Sequence, residues 1–174
     1  MINKSQKKLT TGFTLIEILI VVALVAILAV AALVALNPKS AGEKTRDAQR
    51  LNDLRQLQTV IEQFVGDNPT TGFTSNSTSA SGSNACSNGW MGTDVCTYAN
   101  VVPVDPSNKS TTYTNSSGVQ TNGFVQYQVR VANGNYRICA KLENKGNEAK
   151  LASDGVDNDY FEVYNNTSAT ACSF

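Results

Sequence analysis

From Phe13 to Leu36 the only ionisable side chain is Glu17. An apolar helix of about 20 residues, rising about 1.5 Å per residue, covers a bilayer core about 30 Å thick. The run therefore predicts a membrane-spanning helix with a carboxylate near one end. A charge at bilayer depth costs at least a few kcal/mol and marks a place where it meets a partner. What partners Glu17 is the question on which the rest of the chain turns.

The flanks sharpen it. Lys4, Lys7 and Lys8 precede the run, and Gly12 sits immediately before it. An ordinary secretory signal has a basic region, an apolar stretch of roughly 7–15 residues, and a small-residue cleavage site after that stretch. Here the apolar stretch is too long and the small residue comes first. A cut after Gly12 removes residues 1–12 as a charged leader and keeps the whole apolar helix, residues 13–36. It also leaves a new amine on Phe13, four residues before Glu17, a spacing that puts both on one face of a helix. Lysines before the span and none within it place the amino terminus in the cytoplasm and the remainder outside. Two plainer readings compete. One is a signal anchor whose Glu17 snorkels from the helix end. The other is a conventional signal peptide cut near Ala29-Val30-Ala31.

The segment Lys-Lys-Leu-Thr-Thr-Gly-Phe-Thr-Leu-Ile-Glu, residues 7–17, resembles the class III leader and processing site of type IV pilins and type II secretion pseudopilins. The resemblance implies that a prepilin peptidase cuts between Gly12 and Phe13 and methylates the Phe13 amine. It also implies that Glu17 attracts the Phe13 amine of a neighbouring subunit as a filament assembles. The physics is compatible: a carboxylate isolated in hydrocarbon is unfavourable, and a cationic amine offsets that penalty.

Composition bounds the rest. The chain has 174 residues, balanced charge and no histidine. Beyond the leader this is one domain's worth of sequence. Balanced charge argues against an electrostatic nucleic-acid binder. The lack of histidine removes His-based hydrolase and zinc chemistry. An exported chain with Cys86, Cys96, Cys139 and Cys172 suggests disulfides.

Asn37-Pro38 interrupts the apolar run. Residues 37–65 then read as an amphipathic helix, with Leu51, Leu54, Leu57 or Gln58, Ile61, Phe64 and Val65 on one face. Glu43, Lys44, Arg46, Asp47, Arg50, Asp53 and Arg55 mark the other face as solvated or inter-subunit. Gly66-Asp67-Asn68-Pro69 stops the helix. Residues 66–122, rich in Ser, Thr, Asn and Gly, read as a long surface loop region with Cys86, Trp90 and Cys96 as islands. A Cys86–Cys96 bridge would tie that loop. Four cysteines allow three pairings, and short loop closure favours this one. Asn76, Asn108 and Asn115 open glycosylation sequons, a pattern frequent by chance in such composition. Val102-Pro103-Val104-Asp105-Pro106 and Tyr113 are similar to the Pro-x-Asp-Pro stretch and trailing Tyr of major pseudopilins, although two prolines beside an aspartate also make a plain rigid turn.

Residues 123–174 read as an antiparallel sheet with a C-terminal tail. Residues 123–131 alternate, with Val125, Tyr127, Val129 and Val131 on one face; Asn133-Gly134 signals a hairpin; residues 135–143 alternate again, with Tyr136, Ile138, Ala140 and Leu142 facing the helix. Cys139 falls on the opposite face, within reach of a tail carrying Cys172. Residues 160–164 make a third, short strand. Between the last two strands, residues 153–159 gather three carboxylates and a hydroxyl around Gly155. Such a loop is either a solvated acidic turn or a hard-cation site suited to calcium, and it does not follow the EF-hand pattern. It resembles the calcium loop near the carboxyl end of major pseudopilins, though shorter. That resemblance makes Ser153, Asp154, Asp157 and Asp159 the candidate Ca2+ ligands.

The expected fold is thus α+β: a long N-terminal helix, half transmembrane and half amphipathic, packed on a small three- to four-stranded antiparallel sheet of type IV pilin-like form. The expected protein is a structural filament subunit with no catalytic residues. The subunit is held in the inner membrane with its C-terminal domain outside before it enters a periplasmic pseudopilus or a cell-surface pilus. The resemblance implies copies of itself, the prepilin peptidase, an inner-membrane platform with a cytoplasmic ATPase, and minor pilins or pseudopilins as partners. The competing class is a membrane-anchored binding module or adhesin that does not polymerise.

Overall fold

The computed structural model describes residues 12–77, 83–87, 89–114, 117–167 and 171–172. Lys4, Lys7, Lys8 and Asn115 lie outside the described residues. The chain divides into two compact units, residues 1–41 and 42–174.

The first unit is built on helix α1, Leu15–Leu36. Thr14 caps its start and Asn37, at φ 40°, caps its end in the left-handed region that asparagine tolerates. From Leu15 to Ala35 the helix is long and apolar enough to cross a membrane. Its large apolar side chains are bare in the isolated chain, from 51 % exposed at Ile18 to 84 % at Leu15. Apolar surface of this extent is not left in water. The helix is therefore made to be covered, by lipid or by other helices.

Helix α2, Pro38–Asp67, starts with proline, which fits the first turn because its missing N–H would find no helical partner there. The body of α2 lies in the second unit. Leu54, Leu57, Val60, Ile61, Phe64 and Val65 are buried at three- and four-residue spacing. Leu57 takes the buried place and Gln58 the half-buried one. These side chains pack with Tyr127, Val129 and Val131, and with Tyr136, Ile138 and Ala140, in one hydrophobic core. Burying each Leu or Ile contributes about 1.5–3 kcal/mol, so Leu57→Ala at the centre would cost about 2–5 kcal/mol.

Those partners lie on a four-stranded antiparallel sheet in the order β1 (Phe73–Asn76), β4 (Tyr127–Ala132), β5 (Asn135–Ala140), β6 (Phe161–Tyr164). Strands β2 (Lys109–Thr114) and β3 (Gln120–Val125) form a separate two-stranded ribbon. Asn133 and Gly134, at φ 50° and 77°, make the two-residue turn between β4 and β5. Positive φ at both turn positions matches the twist of the flanking strands. The architecture is α+β, in a layout consistent with a pilin-like fold.

Two expectations are corrected. The continuous strand over residues 123–131 breaks at Gln126. Ser77 brackets the next residue, its N–H donating to Tyr127 O at 2.9 Å and its Oγ accepting Tyr127 N–H at 2.9 Å. Strand β3 consequently pairs with β2, while β4 pairs with β1 and β5. The apolar–polar alternation of the sequence runs through the break, with Val125 and Tyr127 apolar on either side of Gln126, so the pattern carries no mark of it.

Residues 66–122 are likewise not a surface loop. They contribute β1, β2 and four core side chains, Trp90, Met91, Val95 and Val102. The Trp90 indole N–H donates to Pro103 O at 2.9 Å. Backbone N–H groups of Val95 and Val102 donate to Cys86 O and Asn84 O. The connection thus satisfies its buried polar groups without regular ladders.

The structure bonds Cys86 to Cys96, with Cα atoms 4.7 Å apart, and Cys139 to Cys172, with Cα atoms 6.3 Å apart. Closing loops of these lengths removes unfolded-state entropy worth roughly 3 and 4 kcal/mol respectively.

Candidate functional sites

At the head of α1, Thr14 and Glu17 form a capping box. Glu17 N–H donates to Thr14 Oγ1 at 3.3 Å, and the Thr14 N–H and hydroxyl both donate to Glu17 Oε2 at 2.8 Å. The acid therefore has a partner in its own chain, in the first helical turn, where the helix dipole favours an anion. One expectation changes here. Phe13 does not share a helix face with Glu17, because Thr14 takes the capping position and Phe13 lies outside the helix, 84 % exposed. Gly12 is exposed beside it, with open space around its Cα. The bond between Gly12 and Phe13 thus lies on exposed backbone outside the helix.

In the second unit, the charged face of α2 is not simply solvated. Asp47 and Arg50 are 2 % and 0 % exposed. Arg50 donates to Asp47 Oδ1 at 2.8 Å, to both Asp105 oxygens at 2.7 and 3.0 Å, and to Glu143 Oε1 at 2.8 Å. Arg46 adds a two-point contact to Glu143 Oε2. Asp47 accepts the backbone N–H groups of Glu143 and Asn144, both at 2.9 Å. This clasp ties α2 to the Pro-x-Asp-Pro turn and to the chain leaving β5. Burial favours the neutral form of Glu143, yet the hydrogen bonds from Arg46, Arg50 and Ser107 outweigh it and hold its carboxyl down at about 2. The reading of these charges as a solubility surface therefore fails for Asp47 and Arg50. Their partners Asp105 and Glu143 are distant in sequence, and no local pattern shows them. Each carboxylate in the clasp is ion-paired to Arg46 or Arg50, and these pairs hold the elements together.

The acidic loop is organised by a residue outside it. Glu162, on β6, is 3 % exposed, and its Oε2 accepts the N–H groups of Val156 at 2.6 Å and Asp157 at 3.2 Å. Asp154 Oδ2 accepts Glu162 N–H at 2.9 Å, Asp157 Oδ1 accepts Asp159 N–H at 2.9 Å, and the Ser153 hydroxyl donates to Ala149 O at 3.0 Å. The candidate ligands thus lie on one short loop. Among the described residues, however, the one trio of Cys, Asp or Glu whose ligand atoms fall within 4.8 Å of one another is Cys139, Glu162 and Cys172. Its sulfurs are already joined in their disulfide. One observation does favour a cation: Asp154 Oδ1 is buried with no hydrogen-bond partner among the described residues. Burial first, with the nearby Glu162 charge, pushes the Asp154 carboxyl up to about 6 against the pull of its backbone hydrogen bonds. Two of the sequons are engaged in structure: Asn76 accepts from Gln128, and Asn108 exchanges hydrogen bonds with Ser77.

Residues 7–33 match the family described as the prokaryotic N-terminal methylation motif. No curated protein and no solved structure matches the chain. The matched segment spans Gly12, Phe13, Glu17 and most of α1, and it marks a class III leader of the type IV pilin and pseudopilin kind. Such a leader implies processing by a prepilin peptidase and association with a membrane.

Proposed function

We propose that the chain is the structural subunit of a type IV pilus-like or type II secretion pseudopilus filament, assembled from the inner membrane after cleavage between Gly12 and Phe13 and N-methylation of Phe13. The observation that carries this reading is α1: an apolar helix bare along its described length, headed by one acid and lying mostly within the matched methylation motif. Lipid covers such a helix in the waiting subunit, and neighbouring helices cover it in a filament core. Thr14 supplies Glu17 with neutral donors, and the Phe13 amine of the next subunit supplies the missing positive charge and sets register. An assembly platform, a cytoplasmic ATPase and minor subunits follow as partners. The Pro-x-Asp-Pro stretch, residues 103–106, and the acidic loop lean towards the pseudopilin branch. The bridge reaching Cys172 is more pilin-like.

The acidic loop, we further propose, takes Ca2+ through Asp154, with Ser153, Asp157 and Asp159 as the remaining ligand candidates. The buried Asp154 Oδ1, without a hydrogen-bond partner among the described residues, supports this. Calcium would neutralise a carboxylate that burial disfavours.

Mass spectrometry of the natively expressed protein tests the filament reading. The expected mature chain begins at Phe13 and carries one added methyl group. A Glu17→Ala subunit should be processed and inserted but fail to enter filaments. A mature chain beginning at Met1, or beyond Ala31, would overturn the proposal. Normal assembly of Glu17→Ala would favour the non-polymerising binding module instead.

A further inference from the structure

The acidic loop and the Cys139–Cys172 disulfide meet at one side chain, Glu162. Across the β5–β6 ladder Glu162 stands opposite Cys139. Its Oε1 accepts a hydrogen bond from Arg137 Nη1 at 2.8 Å and lies 3.2 Å from Cys172 Sγ. A disulfide sulfur has no proton to donate, so that approach is packing. Its Oε2 holds the Val156 and Asp157 N–H groups. A Cβ on Gly155 would come within 1.9 Å of the same oxygen. One carboxylate is therefore held between the disulfide on one side and the loop backbone on the other, with no slack.

This arrangement holds only while it stays dry. A buried carboxylate is tolerated when paired and hydrogen-bonded, and its pairing weakens once water competes. Arg137 is 0 % exposed, and its Nε has no hydrogen-bond partner among the described residues. The pair therefore sits in a sealed and imperfectly satisfied pocket. Beside it lies a small buried cluster, separate from the main core, formed by Cys139, Tyr160 and Cys172. Arg137 Nη2 also donates to Thr167 O at 3.2 Å, on the segment leading towards Cys172. The covalent tie of that segment to the sheet is the disulfide itself.

We propose that Cys139–Cys172 is a redox lock on the acidic loop, with Glu162 as the positioning residue between them. With the bond closed, Cys172 packs over Glu162 Oε1, and Glu162 anchors the loop. A dithiol reductant opens the bond. Two electrons and two protons pass to the sulfurs, two thiols form, and the reductant becomes a disulfide. Cys172 is then free to move off Glu162, water reaches Glu162 and Arg137, and the loop loses its anchor. The inference concerns backbone order alone and stands whether or not the chain forms filaments or binds calcium.

Residue-resolved amide hydrogen exchange on the full chain in detergent tests it. Opening the bond, by dithiothreitol or by the Cys139→Ser/Cys172→Ser double variant, should speed exchange at Val156 and Asp157 by about tenfold or more. The Val129 and Ile138 amides should stay protected. A Cys86→Ser/Cys96→Ser chain should leave Val156 and Asp157 slow. In the oxidised chain, Glu162→Gln keeps the shape, removes the charge, and should speed the same two amides. Unchanged exchange at Val156 and Asp157 after reduction would overturn the lock. So would loss of protection across β4 and β5 together with the loop, since the bond would then be a staple for the whole unit. If the oxidised Glu162→Gln chain exchanges like the parent, Glu162 is not the link and the proposal fails.

Discussion

Arg50 grips Asp105 at two points inside the second unit, Nε to Oδ2 at 2.7 Å and Nη2 to Oδ1 at 3.0 Å, with both side chains fully buried. The pair joins the middle of α2 to the turn between Pro103 and Pro106. Two guanidinium groups, of Arg46 and Arg50, face three carboxylates, of Asp47, Asp105 and Glu143. A buried pair is weak as a source of net stability but costly to break, because removing one partner strands the other charge.

Arg50→Met should therefore be among the most destabilising single changes in the chain. It strands Asp47 and Asp105 in a buried site and takes from Glu143 one of its two arginines. A loss of about 3–5 kcal/mol is expected. Asp105→Asn should cost less, since Arg50 keeps Asp47 and Glu143. Urea unfolding followed by Trp90 fluorescence measures both, because Trp90 is 1 % exposed in the core. Equal midpoints for the parent and Arg50→Met chains would show that the clasp does not hold the fold.

Acid should weaken the same clasp. The Glu143 carboxyl is held down at about 2 in the folded chain, against about 4.3 for an unperturbed glutamate. For an acid with a depressed folded pKa, the stabilisation is complete above the unfolded value and fades as pH falls through the folded one. Parent and Glu143→Gln chains should differ most at neutral pH and converge between about pH 4 and pH 2. Urea midpoints at several pH values give this difference directly. A gap that stays constant to pH 2 would mean that the Glu143 charge contributes nothing.

The clasp also shows what the sequence could and could not convey. Helix α1 and the Asn133-Gly134 hairpin are legible because each signal lies within a few adjacent residues. The Leu54–Val65 stripe is legible because helical periodicity is local. Asp47 and Arg50 look like ordinary surface charges because what buries them, Asp105 and Glu143, is far along the chain. Trp90, Met91, Val95 and Val102 look like islands in a polar tract because their burial comes from irregular backbone with no period to detect. Glu162 gives no signal either. It lies just past the acidic cluster, and its role depends on strand pairing with Cys139.

Calcium should raise the melting temperature of the parent chain relative to chelator. Ligand at 100 times its Kd stabilises by about 2.7 kcal/mol, and each kcal/mol moves the midpoint of a chain this size by about 2–4 °C. Asp154→Asn should abolish the response. In chelator the same variant should be no less stable than the parent, since burial already disfavours the Asp154 charge. An amide oxygen can still accept the Glu162 N–H that Asp154 Oδ2 accepts now. No calcium-dependent shift in the parent would remove the metal site. A retained shift in Asp154→Asn would move it away from Asp154.

Three glycines should answer an added methyl group in three ways. At Gly89, inside the loop closed by Cys86–Cys96, a Cβ would lie 2.1 Å from Ala85 O and 2.9 Å from Ser83 O, both backbone atoms just before Cys86. Backbone cannot step aside, so Gly89→Ala should cost the most and should disturb the neighbouring Trp90. At Gly155 the obstacle is the Glu162 side chain, 1.9 Å from the new Cβ at Oε2. That side chain can swing only by giving up its hydrogen bonds to Val156 and Asp157, a loss of about 1–3 kcal/mol. Gly66, near the end of α2, has nothing within 4 Å and no positive φ. There alanine keeps the helix and narrows the unfolded ensemble, so a gain of about 0.4–1 kcal/mol is expected. Urea midpoints should therefore rank Gly66→Ala above the parent, then Gly155→Ala, then Gly89→Ala. If Gly155→Ala matched the parent, the close seating of Glu162 against the loop would be wrong.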